Sequence, residues 1–145
     1  VDIIIAHLHW GFEHEFYPRP EQLEVSHQLS EMGVDVVIGH HPHVVQPVEF
    51  YRTRRDPNRV VPIYYSLGNL VNPFSAPHLC LSYAAQLVLA KGTAKDGTKR
   101  TYVKKAGKTE ILQTVDADTK KVVLTTKLPR SSSGNGNDRP RDAHR

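Results

Sequence analysis

Ten residues, Val34–His43, constrain this chain more than any others. The segment Val34-Asp35-Val36-Val37-Ile38-Gly39 is dominated by β-branched side chains and follows Gly33 directly. A run that short and that apolar reads as a strand covered on both faces. It then changes character abruptly to Gly39-His40-His41-Pro42-His43, three imidazoles in four positions. A buried strand ending this way delivers histidines to a polar site. Neutral imidazole is the commonest biological metal ligand, so the site expected there is a metal site.

The residues before it complete a βαβ unit. Asp2–His7 reads as a central parallel strand covered on both faces, and Trp10-Gly11 breaks it into a loop. Pro20 suits a first helical position, Glu21 and Glu24 suit the positive end of the helix dipole, and Gly33 suits a left-handed cap. Leu23, Val25, Leu29 and Met32 fall near helical spacing and are the expected apolar stripe. Strand, helix, strand in that order gives parallel strands lying side by side or nearly so. Beyond it, Val44–Tyr51 and Val60–Tyr65 flank the polar turn Arg52–Arg59 as an antiparallel hairpin. Ser66–Asn69 is a turn tolerating positive φ, and Leu79–Ala90 is a strand leading into a turn at Gly92–Gly97. Thr109–Val115 and Lys121–Leu128 form a last hairpin around Asp116–Lys120.

Charge divides the 145 residues unevenly. Residues 1–90 carry 5 basic and 9 acidic groups, and residues 91–130 carry 11 basic and 4 acidic. The front is thus a mildly acidic domain of α/β type (1–90), followed by a basic β-hairpin extension (91–130). The tail 131–145, rich in Ser, Gly and Asn, is expected to be disordered. Cys80 is the only cysteine, which excludes internal disulfides and thiolate metal clusters. No stretch of about 18 apolar residues spans a membrane. No signal peptide is visible, and the first residue is Val, so the chain reads as a fragment, processed piece or truncated frame.

Seven of the nine histidines lie within residues 1–43. In a parallel α/β sheet, ligands bind outside the carboxyl ends of the strands. His7 and His9 end the first strand, and His40, His41 and His43 end the second. The preferred ligands are His41 and His43, linked through Pro42, with His9 as the third from the neighbouring strand. Glu13 is the nearest carboxylate, whereas Asp35 lies at the wrong end of its strand. His7 and His40 read as ligands or supporting groups about equally, and His14, His27 and His78 as ordinary surface or partly buried residues. Asn69 is a possible oxygen ligand, but a structural turn is favoured for Ser66–Asn69.

Four ordered segments resemble a known family: His9-Trp10-Gly11-Phe12-Glu13, Gly33–His43, Gln46-Pro47-Val48-Glu49 and Tyr65-Ser66-Leu67-Gly68-Asn69. Over roughly residues 1–75 they resemble the capsule-synthesis CapA family, the poly-γ-glutamate synthesis (PgsA-type) proteins, itself similar to the calcineurin-like metallophosphoesterases. The resemblance implies a four-layer α/β/β/α sandwich, incomplete at its amino end, with a two-metal centre at the strand ends. It places His9, His41 and His43 as metal ligands; the candidate catalytic groups, from the reading of the residues, are His40 and Glu13. The cofactors implied are divalent metal ions (Mn, Fe, Zn or Mg), which would clamp a phosphate-like group and activate a bridging water. Implied partners are an anionic polymer or phosphate-containing substrate and other capsule or polyglutamate synthesis proteins. The family's early Asp-rich ligand set has no counterpart in this chain, so weak metal binding and little or no hydrolase activity are expected of it. Two further readings stand beside this one. One is a non-catalytic accessory protein holding an anionic polymer through the basic segment. The other, ranked well below, is a nucleic-acid-binding module.

Overall fold

The computed structural model describes residues 2–72, 76–93 and 97–127. The expected tail at 131–145 and the centre of the Gly92–Gly97 turn lie outside them. The described residues form a mixed α/β structure with two sheets and one helix. The elements run β1 (Ile5–His9), α1 (Pro20–Met32), β2 (Val36–His40), β3 (Val48–Arg52), β4 (Val60–Tyr64), a 3-10 turn (Pro77–Leu79), β5 (Leu81–Thr93), β6 (Lys99–Val115) and β7 (Val122–Lys127). β5 runs continuously through residues 90 and 91.

The first sheet has strand order β1-β2-β4-β3. β1 and β2 pair in parallel, with His9 opposite His40. The expected hairpin forms as β3 and β4, and β4 also lies parallel to β2. β2 is the buried centre: Val36 and Val37 are fully buried and Ile38 nearly so. Successive residues of a strand point to opposite faces, so β2 feeds two cores. Val37 joins Val61, Ile63 and Tyr65 beneath Leu23 of the helix. Val36 and Ile38 join Tyr64 against Ala85, Leu87 and Val103 of the second sheet. The helix therefore covers one face and the β5-β6-β7 sheet the other.

Two expectations need correction. The first strand is shifted to Ile5–His9 and lies at the sheet edge, with Ile5, His7 and His9 exposed. Its β-branched residues suit a covered strand, but among the described residues only β2 pairs with it, and Ile5 and His7 are left exposed. The helix stripe also differs. Val25 and Met32 are exposed, and the buried positions are Gln22, Ser26 and Ser30. The two serines tolerate burial because each hydroxyl is bonded locally: Ser26 Oγ donates to the Leu23 carbonyl (2.8 Å) and Ser30 Oγ to the Ser26 carbonyl (2.8 Å).

The helix ends follow the sequence signals. Pro20 occupies the first position, the Gln22 side chain accepts from the Arg19 N–H (3.0 Å), and Gly33 sits at φ 112°. Past Gly33 the chain is held by Arg59, whose guanidinium donates to the carbonyls of Ser30 (2.6 Å) and Val34 (2.5 Å) and to Asp35 (3.1 Å). Among the described residues, no helix is long and apolar enough to cross a membrane.

Candidate metal centre

The carboxyl ends of β1, β2 and β4 open into three loops, and packing fixes each. Gly39 is the pivot. A Cβ there would stand 2.0 Å from the Tyr65 carbonyl oxygen and 2.4 Å from Trp10 Nε1. Without that Cβ, the Trp10 indole crosses β2 and donates to the Tyr65 carbonyl (2.9 Å), joining the loop after β1 to the loop after β4. The loop after β1 is further braced by the His14 N–H bonded to the Pro42 carbonyl (2.8 Å) and by Gln46 Nε2 bonded to the Glu15 carbonyl (2.8 Å). Arg19 forks onto Glu15, which holds that carboxyl below its ordinary range, and its guanidinium carbon sits 3.8 Å over the Phe12 ring. The loop after β4 is tied to the second sheet by the Tyr83 N–H donating to Leu67 and by Asn72 and Gln113 bonding reciprocally.

Fully buried Pro42 separates two histidines with left-handed backbones, His41 at φ 100° and His43 at φ 61°; His14 across from them is at 67°. Such conformations in bulky residues cost of order 1–3 kcal/mol each and persist where surrounding structure imposes them. Here they bring ligand atoms of the two histidines on either side of Pro42 close together. One ligand atom from each of Glu13, His41 and His43 lies within 4.8 Å of the others. His43 Nε2 is 3.7 Å from Glu13 Oε1, and the ring centres of His41 and His43 are 5.9 Å apart.

The tautomer of His43 follows from its partner. Asn69 Nδ2 donates to the His43 carbonyl (3.1 Å), which fixes the amide orientation. Its Oδ1 therefore faces His43 Nδ1 at 2.8 Å, and that nitrogen must carry the proton. Neutral His43 then has a bare Nε2 lone pair directed toward a carboxylate. Two electron-rich atoms facing each other at that distance are suited to a cation between them. An orienting hydrogen bond on the far ring nitrogen is the usual device that fixes a metal-binding imidazole.

The remaining candidates are placed as follows. His9 lies beside the cluster, its ring centre 4.6 Å from that of His41, outside the three-group convergence. His40 turns the other way: its Nε2 is 3.4 Å from His7 Nδ1. Burial, then the nearby His7 and His9, hold His40 below its ordinary imidazole value. Asp35 is at the opposite end of β2, paired with Arg59. His27 sits on the helix with Nε2 2.9 Å from Glu49, whose other oxygen accepts from the Tyr65 hydroxyl (2.5 Å). Three residues that the sequence reading favours for other roles also lie near the candidate site. Asn69 orients His43, the His14 ring stands beside His43, and the His78 ring stands beside that of His14. The Gly68-Asn69 turn was a visible signal for the first; nothing local in the sequence marks the other two.

The donor set fits one divalent ion. Two imidazoles and a carboxylate are a mixed N/O set that leaves positions open for water or substrate. Among the described residues, no further group of three such side chains converges to hold a second ion. A cleft of about 440 Å³ at the amino ends of the strands is a poorer candidate, because its Asp2, Asp35 and Asp56 share the lining with Arg59, Lys99 and Arg100.

Comparison with known proteins places these loops in a family. Residues 1–73, half of the chain, match the family model described as "Bacterial capsule synthesis protein PGA_cap". Over 70 residues (48% of the chain), it is 41% identical to the Bacillus subtilis "PGA biosynthesis protein CapA" and 36% identical to the Bacillus anthracis "Capsule biosynthesis protein CapA". These matches cover 17% and 15% of those two proteins. It is 30% identical over 95 residues (66% of the chain) to a Mycobacterium tuberculosis "Probable polyglutamine synthesis accessory protein", of which it spans 23%. The rim loops and β2 all fall inside the matched residues, and the chain belongs to the bacterial capsule synthesis protein family PGA_cap.

Proposed function

We propose that this chain carries part of a metallophosphatase-like centre of a CapA-type protein acting in capsule or poly-γ-glutamate biosynthesis. In this reading, Glu13, His41 and His43 hold a divalent cation at the rim of the first sheet. The observation that carries the proposal is the convergence of their ligand atoms within 4.8 Å. A helix on one face of a sheet and a second sheet on the other is the layering of three quarters of an α/β/β/α sandwich, which supports the calcineurin-like reading. Fold alone does not fix the reaction, so the weight rests on the site.

When bound, the ion supplies Lewis acidity toward a phosphate-type oxygen and lowers the pKa of a coordinated water. The chain's own residues do the rest. His41 and His43 present their nitrogens from a backbone fixed by Pro42. Asn69 holds the His43 tautomer. Glu13 balances charge and, from an exposed position, can take a proton from a nearby water. His9 and His40 line the adjoining surface. The matched region spans 15–23% of these relatives, and the proposed contribution is one ion site of a larger assembly.

A second reading is a non-catalytic accessory protein that holds the anionic polymer. Lys99, Arg100, Lys104, Lys105 and Lys108 are all exposed on β6, and one relative bears an accessory-protein name. A phosphodiester assay with added Mn²⁺, comparing the unsubstituted chain with His41→Ala and His43→Ala, separates the two. Low activity abolished by either substitution supports the enzymatic reading. Activity that survives both rejects the rim as its source, and no activity with intact polymer binding favours the accessory role.

A further inference from the structure

Two histidines that the ion seat does not use extend from it in a row, His14 beside His43 and His78 beside His14. His14 follows Glu13 in the loop after β1, and His78 lies in the turn Pro77–Leu79, beyond the residues that match the family. The His14 ring centre is 6.5 Å from that of His43, edge-on at 80°, and 6.3 Å from that of His78, at 63°. Phe16 backs His78 at 5.9 Å. The Glu13 carboxylate reaches both sides, Oε1 3.7 Å from His43 Nε2 and Oε2 4.0 Å from His14 Nε2. The His14 backbone is held in place by its N–H bond to Pro42.

The spacing of His14 and His78 can be set beside that of two possible occupants. A tetrahedral metal bound to both rings at about 2.1 Å draws their centres to about 5.3 Å. An oxygen accepting an N–H from each at about 2.8 Å, at a similar angle, leaves the centres about 6.4 Å apart. The observed 6.3 Å is an edge-on ring spacing wide enough for such an oxygen and wider than the metal-bridged one. Neutral imidazole supplies one N–H, so each ring donates one bond.

We propose that His14 and His78 form an oxyanion-receiving wall beside the Glu13–His41–His43 seat. An anionic oxygen group, of a phosphate or a carboxylate, contacts the bound ion on one side and accepts an N–H from each of these rings on the other. The proposal rests on the ion seat and adds two specificity-determining residues to it. It makes the ligand one with a terminal oxyanion, presented from the side of the His78 turn.

The test uses the full chain with saturating Mn²⁺, titrated in separate arms with inorganic phosphate and with a short γ-glutamyl oligomer. The variants are His14→Phe and His78→Phe, which keep a ring and remove the N–H. Mn²⁺ affinity is expected to be unchanged, while affinity for at least one anion falls about 10-fold or more per substitution, the effect of losing a hydrogen bond to a charged group. The arm that responds identifies the oxyanion. Anion affinity indifferent to both substitutions overturns the proposal, and so does a parallel loss of Mn²⁺ affinity, which makes the two histidines ligands instead. Absence of Mn²⁺ binding in the unsubstituted chain overturns the seat and this wall together. His78 is exposed, so His78→Phe decides the question if His14→Phe fails to fold.

Discussion

His43 and Asn69 hold each other through two hydrogen bonds, ring Nδ1 to amide Oδ1 at 2.8 Å and amide Nδ2 to the His43 carbonyl at 3.1 Å. The pair determines both the tautomer of the ring and the direction of its free nitrogen. Asn69 belongs to the Ser66–Asn69 loop, which Gly68 turns at φ 72° and which the second sheet pins through the Gly68–Ser82 bridge. The second sheet thereby takes part in setting the site.

Replacing Asn69 should weaken the ion seat without dismantling the fold. Asn69→Ala leaves both His41 and His43 in place but frees the His43 ring to rotate and to change tautomer. Loss of an orienting partner typically costs 10–100-fold in metal affinity, and about that loss is expected in a Mn²⁺ titration. The circular dichroism spectrum should stay that of the unsubstituted chain.

Gly39→Ala should act through packing. The added methyl meets the Tyr65 carbonyl oxygen and the Trp10 indole nitrogen at distances that atoms do not share. Backbone must move, because one of the two obstacles is backbone. Overpacking of this kind costs about 1–3 kcal/mol or more. A lowered thermal midpoint is expected, together with reduced Mn²⁺ affinity, since both histidine-bearing loops meet at this residue. A midpoint equal to that of the unsubstituted chain would show that the Trp10–Tyr65 contact gives way easily.

Glu31 should make stability depend on acid pH. Its carboxylate accepts from the Arg54 and Arg55 N–H groups and from the Tyr51 hydroxyl, tying the end of α1 to the β3–β4 hairpin. The Arg54 backbone bond is the largest cause of a folded-state pKa below its ordinary 4.5. The unfolded chain therefore binds more protons in this range, and stability rises with pH there. The contribution is fully present above about pH 4.5 and is lost as pH falls through the lower folded value. Urea midpoints measured from pH 3 to pH 6 should show this loss, and Glu31→Gln should lower the midpoint at pH 6 while flattening the dependence.

Much of the fold can be read from residues with one conformational use. Pro20 and Gly33 bracket α1, and the polar stretch Arg52–Arg59 between two β-branched runs marks the hairpin. The parallel pairing that sets His9 opposite His40 follows from the short crossover. What escapes is tertiary. Ser26 and Ser30 look like solvent residues, yet they are fully buried because their hydroxyls bond within the helix turn. β1 has the composition of a central strand but sits at an edge, because coverage depends on neighbours and not on the strand itself. At the candidate site, the motif and its topology suggest grouping His41 and His43 with Glu13, whose ligand atoms lie close together. They do not suggest His14 and His78, because 64 positions separate them in sequence and only the folding back of two loops brings their rings together.

The most direct measurement is a Mn²⁺ titration of the full chain by calorimetry, paired with paramagnetic broadening of the histidine ring signals. Mn²⁺ suits a seat containing a carboxylate and sits low in the affinity order for nitrogen ligands, so sites built from imidazoles alone contribute little. One weak, stoichiometric equivalent is expected, broadening the His41 and His43 rings first and lost in His43→Ala and in Glu13→Gln. Two tight equivalents, no binding, or one equivalent that survives both substitutions would contradict the Glu13–His41–His43 assignment.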